Sequence, residues 1–169
     1  MSNHVAHASS PSSSPECQGT NDLEPLCREE IAALLEGAMN EPGPRIGVAV
    51  CDLGDVTDAV AARVVTTWAG ALTAYDIVLP FKDGRRRVVA VIRLRVRSGV
   101  EAEALADRLI ARASDPIRVE GELTRVRPHV GIAIATTKDS GVALLDRAFN
   151  ALETAYGVGG RRWSRSLHG

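Results

Sequence analysis

Asp52 closes an apolar run, Arg45–Leu53, and Asp83 stands in the Asp-Gly turn of a β-rich stretch, Tyr75–Arg97. Two carboxylates at one corner of a sheet form the donor set of divalent-cation phosphoryl chemistry, provided they are close and unopposed. Taken singly, each has a plainer reading. Asp52 is a structural turn acid at a strand end, and Asp83 is a residue chosen for its tolerance of turn φ values. The second chemistry-bearing group is cationic: Arg85, Arg87, Arg93, Arg95 and Arg97 fall on one face of an extended strand. Such a stripe is either a solvated sheet face with interstrand ion pairs or a docking surface for phosphate or an acidic partner protein. His129 has no companion histidine, so a packed or surface imidazole is expected rather than a metal ligand. Cys17, Cys27 and Cys51 are odd in number and lack metal or redox spacing, which predicts reduced thiols, with Cys51 a small core residue.

The elements that must position these groups follow from pattern. Asp83-Gly84 between apolar runs predicts a hairpin with its tip at Lys82–Arg86. In its second strand Val88, Ala90, Ile92, Leu94 and Val96 make a core face, and the arginines, with Val89 and Val91, make a cationic one. Upstream, Leu23–Met39 reads as a helix ended by Pro42-Gly43-Pro44, Arg45–Leu53 as a strand, and Val56–Ala74 as a helix on Val60, Val64 and Trp68. Downstream, Ser98 and Glu101 have capping-box spacing and open a helix to about Ala113. A minor hairpin turns at Glu120-Gly121, Arg125–Ala135 alternates as a strand, and Asp139-Ser140 caps a helix on Val142, Leu145, Phe149 and Leu152. Trp68 and Phe149 are core anchors, and Trp163 covers a domain edge.

After the first helix the order is β-α-β-β-α-β followed by a helix. Two right-handed crossovers and one hairpin then give an α+β, ferredoxin-like or palm fold: a four-stranded antiparallel sheet with the first and third strands central. This topology brings Asp52 to the hairpin tip near Asp83, the corner where nucleotide cyclases and polymerases keep metal carboxylates.

Composition bounds the function classes. The 169 residues are 45% hydrophobic but only 4% aromatic, enough for one domain with a core of Val, Ala, Leu and Ile. Twenty basic against 21 acidic residues give a net charge of −1, so no global attraction to nucleic acid or acidic membrane exists and any electrostatic site is local. Residues 1–21, rich in Ser and Pro, are expected to be a disordered tail, and residues 164–169 a frayed basic end. The absence of a long apolar run and of signal architecture predicts a cytoplasmic chain without a membrane span.

Several stretches match one known family. His129-Val-Gly-Ile-Ala133, Leu144–Ala155 and Gly159-Gly-Arg-Arg162 resemble, in order, the S-I-G-I-A strand, the LL..AD.AL..AK helix and the G-x-N-R segment of GGDEF (diguanylate cyclase) domains. Ala71–Val78, Asp52-Leu53 and Leu23-Glu-Pro-Leu26 resemble further family segments, so the chain is similar to a degenerate GGDEF domain over residues 22–163. The resemblance implies that Asp52 and an acid of the G-G-[DE]-E-F turn would hold two Mg²⁺ ions. Here the turn reads Lys82-Asp83-Gly84-Arg85-Arg86, and in either alignment a cation replaces the essential acid. At ~4–6 Å and an effective dielectric of ~20, that like-charge term costs several kcal/mol.

Other family features are missing. Between Asp55 and Thr57 there is no room for the guanine-binding segments, and Tyr156 replaces a phosphate-contacting Lys while Arg162 keeps the neighbouring basic position. The inhibitory R-x-x-D motif retains Asp76 but has Thr73 for its Arg.

The expected function is therefore a non-catalytic GGDEF-like regulatory or protein-binding module of cyclic di-GMP-type signalling. Its partner is another protein or a second copy, and no cofactor is expected. The alternative is an active or residual cyclase, binding guanine nucleotide and Mg²⁺ or Mn²⁺ through Asp52, Asp83 and Arg162. A third reading, a ferredoxin-like nucleic-acid binder, lacks aromatics on the central strands for bases to stack on, so no nucleic acid is expected. Under the binding reading, Arg85, Arg87, Arg93 and Arg95 are the docking candidates.

Overall fold

Seven of the eight residues of Arg45–Asp52 (β1) are buried, as an unbroken Ile-Gly-Val-Ala-Val-Cys run requires of a strand covered on both faces. The structure, a computed structural model, describes residues 24–83, 86–157 and 163–166, without the side chains of residues 83, 86 and 87. β1 pairs antiparallel with Arg86–Val96 (β3) on one side and His129–Ile134 (β6) on the other. Asp76–Asp83 (β2) adds antiparallel to β3, and Trp163–Arg165 (β7) adds parallel to β6. Among the described residues the sheet order is thus β2-β3-β1-β6-β7. The first and third strands of the expected palm are central, as predicted.

Two helices cover each face. Arg28–Asn40 (α1) and Gly141–Gly157 (α4) pack with Val48, Val50, Val88, Ala90 and Ile92 in one core. Asp58–Ala71 (α2) and Gly99–Ser114 (α3) pack with Ala49, Cys51, Val89, Val91 and Ile132 in the other. Trp68 anchors the second core, and Phe149 meets Phe81 at 5.5 Å between ring centroids in the first. β3 is therefore buried on both faces. The expectation of one core face and one cationic face is corrected, because Val89 and Val91 lie between the arginines and α2 and α3 cover them.

Local chemistry sets the boundaries. Thr57 accepts from Val60 N and caps α2, and Ser98 accepts from Glu101 N and caps α3. The Glu101 carboxylate reaches back to Arg97 N rather than to Ser98, one residue beyond a capping box. Glu120 and Gly121 carry φ values of 51° and 90° and turn Ile117–Val119 (β4) into Glu122–Thr124 (β5), the minor hairpin expected at that dipeptide. Pro128 has no N–H to donate to a ladder, and β6 begins after it rather than at Arg125. Pro80 is tolerated because β2 is an edge strand: its outward side is where Leu26 bridges, donating N–H to Pro80 O at 3.0 Å.

Two expectations about the ends of elements change. The pairing of Asp83 with Arg86 leaves residues 84 and 85 as the connection, one position beyond the expected Asp83-Gly84 centre. Residues 164 and 165, expected to fray, join Trp163 in β7. Ser166 N donates to Ile132 O at 2.8 Å, Trp163 Nε1 to Asp107 at 2.9 Å, and Arg165 pairs with Glu103 at 3.2 Å. Strand and α3 thus hold a segment whose basic composition suggested solvent. The tail 1–21 and residues 167–169 lie outside the described residues.

Candidate functional site

Asp52 is the last residue of β1, opposite Val88 of β3 and His129 of β6. It is only 7% exposed, and both carboxylate oxygens are engaged. Oδ1 accepts from Gly54 N at 2.7 Å, an arrangement helped by the positive φ of Gly54 (77°). Oδ2 accepts from the hydroxyl of Tyr156, the penultimate residue of α4.

The packing of α4 brings the phenol there. At Gly131 a Cβ would stand 2.2 Å from both Ala148 O and Leu152 N, so helix and strand approach as closely as only glycine permits. One turn past Leu152, Tyr156 then lies over His129, with ring centroids 4.6 Å apart. Cys51, beside Asp52 in sequence, is fully buried, and burial followed by the neighbouring carboxylate pushes its thiol up, away from thiolate chemistry. The connection from β1 to α2 takes only residues 53–57.

Asp83 lies at the same end of the sheet. The Asp83–Arg86 pair is two residues along β3 from Val88, the residue opposite Asp52, and one strand further out. The Asp83 and Arg87 side chains, and Arg85 and Arg162 entirely, lie outside the described residues. Among the described residues no group of three or more His, Cys, Asp or Glu converges on one point.

The opposite end of the sheet holds Asp76. Arg93 donates to Asp76 through two nitrogens, at 2.6 and 2.7 Å, and Thr73 donates both its N–H and its hydroxyl to the same carboxylate at 3.0 and 2.8 Å. Burial pulls the Asp76 carboxyl up, but the hydrogen bonds from Arg93 and Thr73 outweigh it and hold the group below its usual value of 3.8. Arg93 is therefore a buried ion-pair partner rather than a docking residue. Arg95 lies over the Tyr75 ring at 4.5 Å and donates to the Tyr75 hydroxyl at 3.4 Å. Of the expected docking residues, the two whose side chains are described, Arg93 and Arg95, are engaged by Asp76 of β2 and by Tyr75 in the loop before it.

Sequence reading missed two partners, Tyr156 for Asp52 and Arg93 for Asp76. Arg93 stands opposite Asp76 only in the observed register, because a turn centred on Asp83-Gly84 would put Val91 there. Tyr156 had no signal beyond its replacement of a lysine, because a contact between residues 104 positions apart leaves no local pattern.

No protein-family model and no curated protein matches the sequence. Among solved structures, the chain is similar to the GGDEF domain of YfiN (TpbB) from Pseudomonas aeruginosa, at 26% identity and a TM-score of 0.70, covering 87% of this chain and 98% of that one. It is also similar to the GGDEF domain of DgcB from Caulobacter crescentus in complex with c-di-GMP, at 18% identity and a TM-score of 0.69, over 85% and 92% of the two chains. A third neighbour is the diguanylate cyclase SiaD of Pseudomonas aeruginosa in complex with its activator SiaC, at 16% identity and a TM-score of 0.64; the match covers 79% of this chain and about half, 55%, of that one. From the first helix to the final parallel strand, this chain has the fold of a GGDEF domain.

Proposed function

We propose that this chain is a GGDEF-like module of cyclic di-GMP signalling that has lost the cyclase reaction and works in the cytoplasm by binding a protein partner. The observation that carries the reading is the enclosure of Asp52. A first-strand carboxylate that served a divalent cation would keep its oxygens for the metal, whereas here Gly54 N and the Tyr156 hydroxyl take both. The described donors around Asp52 fit a hydrogen-bonded strand end rather than a cation ligand. Two further features agree with this. The connection of residues 53–57 is too short for the guanine-binding segments that the resemblance implies, and Arg85 and Arg86 stand in the sequence where the turn acids are expected.

Binding is the remaining activity such a scaffold supports. One structural neighbour, SiaD, is complexed with an activator protein. Among the described residues no helix is long and apolar enough to cross a membrane.

The test is incubation of the purified chain with GTP and either Mg²⁺ or Mn²⁺, with the products resolved by chromatography. No cyclic di-GMP is expected, and its formation at a rate abolished by Asp52→Ala would overturn the reading. A thermal-shift panel of GTP, cyclic di-GMP and Mn²⁺ should be flat.

A further inference from the structure

We infer that the Tyr156 hydroxyl has taken the place of a cation at Asp52, and that the bond it donates locks the last turn of α4 and thereby the return of the chain into β7. The inference rests on the proposed loss of the reaction at Asp52 and adds the device that replaced it.

The argument starts from what a buried carboxylate needs. At 7% exposure Asp52 cannot depend on water, so its charge must be met by donors within the fold. Gly54 N satisfies one oxygen from the adjoining loop. The second oxygen faces the α4 side of the sheet, on the same face as Val48 and Val50, and there the donor is a phenol. A hydroxyl bound to an ionised acceptor makes one of the stronger hydrogen bonds available to a protein.

Three features make the phenol a resident partner. Gly131 lets α4 approach β6 closely enough to carry Tyr156 over the sheet end. His129, directly opposite Asp52 in the ladder, lies against the Tyr156 ring and fixes its approach. Tyr156 as a whole is 39% exposed while its hydroxyl is turned inward to the carboxylate, so the residue stays partly in water while its polar tip is bound. A divalent cation and this hydroxyl compete for the same oxygen.

The consequence reaches the edge of the sheet. Tyr156 is the penultimate residue of α4, and β7 resumes only six residues after α4 ends. β7 is short, three residues, and pairs with β6 along Val130–Ile132, immediately beyond His129. α4 packs directly against β7, so Asp52, by holding the last turn of α4, also bears on that strand.

The test uses the full chain. It has two tyrosines, so Tyr75→Phe leaves Tyr156 as the single ring reporter, labelled with ¹³C at Cζ. Adding Asp52→Asn should shift that signal. In the same chains, amide exchange at Ser166, whose N–H binds Ile132 O, should speed up by about tenfold in Tyr156→Phe and in Asp52→Asn, with the double variant no faster than either. Mn²⁺ alone should leave the Tyr156 signal unbroadened. An unmoved Cζ signal, additive exchange effects, or Mn²⁺ broadening that Asp52→Asn removes would each overturn the lock. Cyclic di-GMP synthesis by a chain that passes all three tests would overturn the proposed function and leave the lock standing.

Discussion

Asp52 and Asp76 are both acids at ends of sheet strands, and the fold treats them differently. Asp76 is met by a cation, the two-pronged guanidinium of Arg93, with Thr73 adding two donors at Oδ2. Asp52 is met only by neutral donors among the described residues, one backbone N–H and one phenol. The difference follows from position. Asp76 opens β2, directly opposite Arg93 in a two-strand ladder, where a long cationic side chain can lie along its neighbour. Asp52 ends the middle strand, hemmed by Val88 and His129, where its own following loop and a helix above the sheet reach it. Each acid is satisfied from within the fold, by whichever donor its place in the sheet allows.

The comparison breaks most directly at Arg93. With Arg93 and Asp76 side chains 8% and 0% exposed, Arg93→Ala leaves a carboxylate buried without its charge partner and should cost ~3–5 kcal/mol in urea unfolding. Asp52→Asn, which removes a charge that only neutral donors satisfy, should cost ~1 kcal/mol. Equal losses would show that the two acids are held alike. The pair also has a pH signature. Because the folded-state value of Asp76 lies below its usual 3.8, its contribution is complete above about pH 4 and is lost as the pH falls through the folded value. In Arg93→Ala the acid limb of the stability curve below pH 4 should flatten.

A second variant separates the two ends of the sheet. Gly131→Ala places a methyl 2.2 Å from the backbone of α4, which cannot yield as a side chain would, so the helix must move off β6. Overpacking of this kind costs ~1–3 kcal/mol. The Tyr156–Asp52 bond should be lost with it while the Asp76–Arg93 pair stays intact, a split readable from ring and guanidinium NMR signals. Perturbation of both ends would mean that the sheet transmits the strain, and the two sites would not be independent.

How much of this was legible in the sequence depends on the range of the interaction. The palm topology could be read because alternation, the Ser98 and Asp139-Ser140 caps and the Glu120-Gly121 turn are local signals that agree with one another. The burial of β3 on both faces was hidden by five arginines. Their spacing suggested solvent, yet Arg93 carries its charge inward because Asp76 awaits it. β7 was hidden by its composition, since a strand of three residues gains its place from the Trp163–Asp107 and Arg165–Glu103 contacts rather than from propensity. Asp52 was found, but its partner on α4 was not, because that contact depends on how closely Gly131 lets two elements approach.

The smallest expected effect sharpens the contrast within the arginine row itself. Arg95, two residues from Arg93, lies over the Tyr75 ring at 4.5 Å in an exposed setting. Stacking of a guanidinium on a solvated ring contributes ~0.5–1 kcal/mol, so Tyr75→Leu should lower stability by about that much, and Arg95→Ala in the Tyr75→Leu background should add almost nothing. The coupling measured by this double-mutant cycle should be several-fold smaller than that of the Arg93–Asp76 cycle. Were the two couplings equal, exposure would not be what distinguishes the arginines, and Arg95 would join Arg93 as part of the frame rather than of the surface.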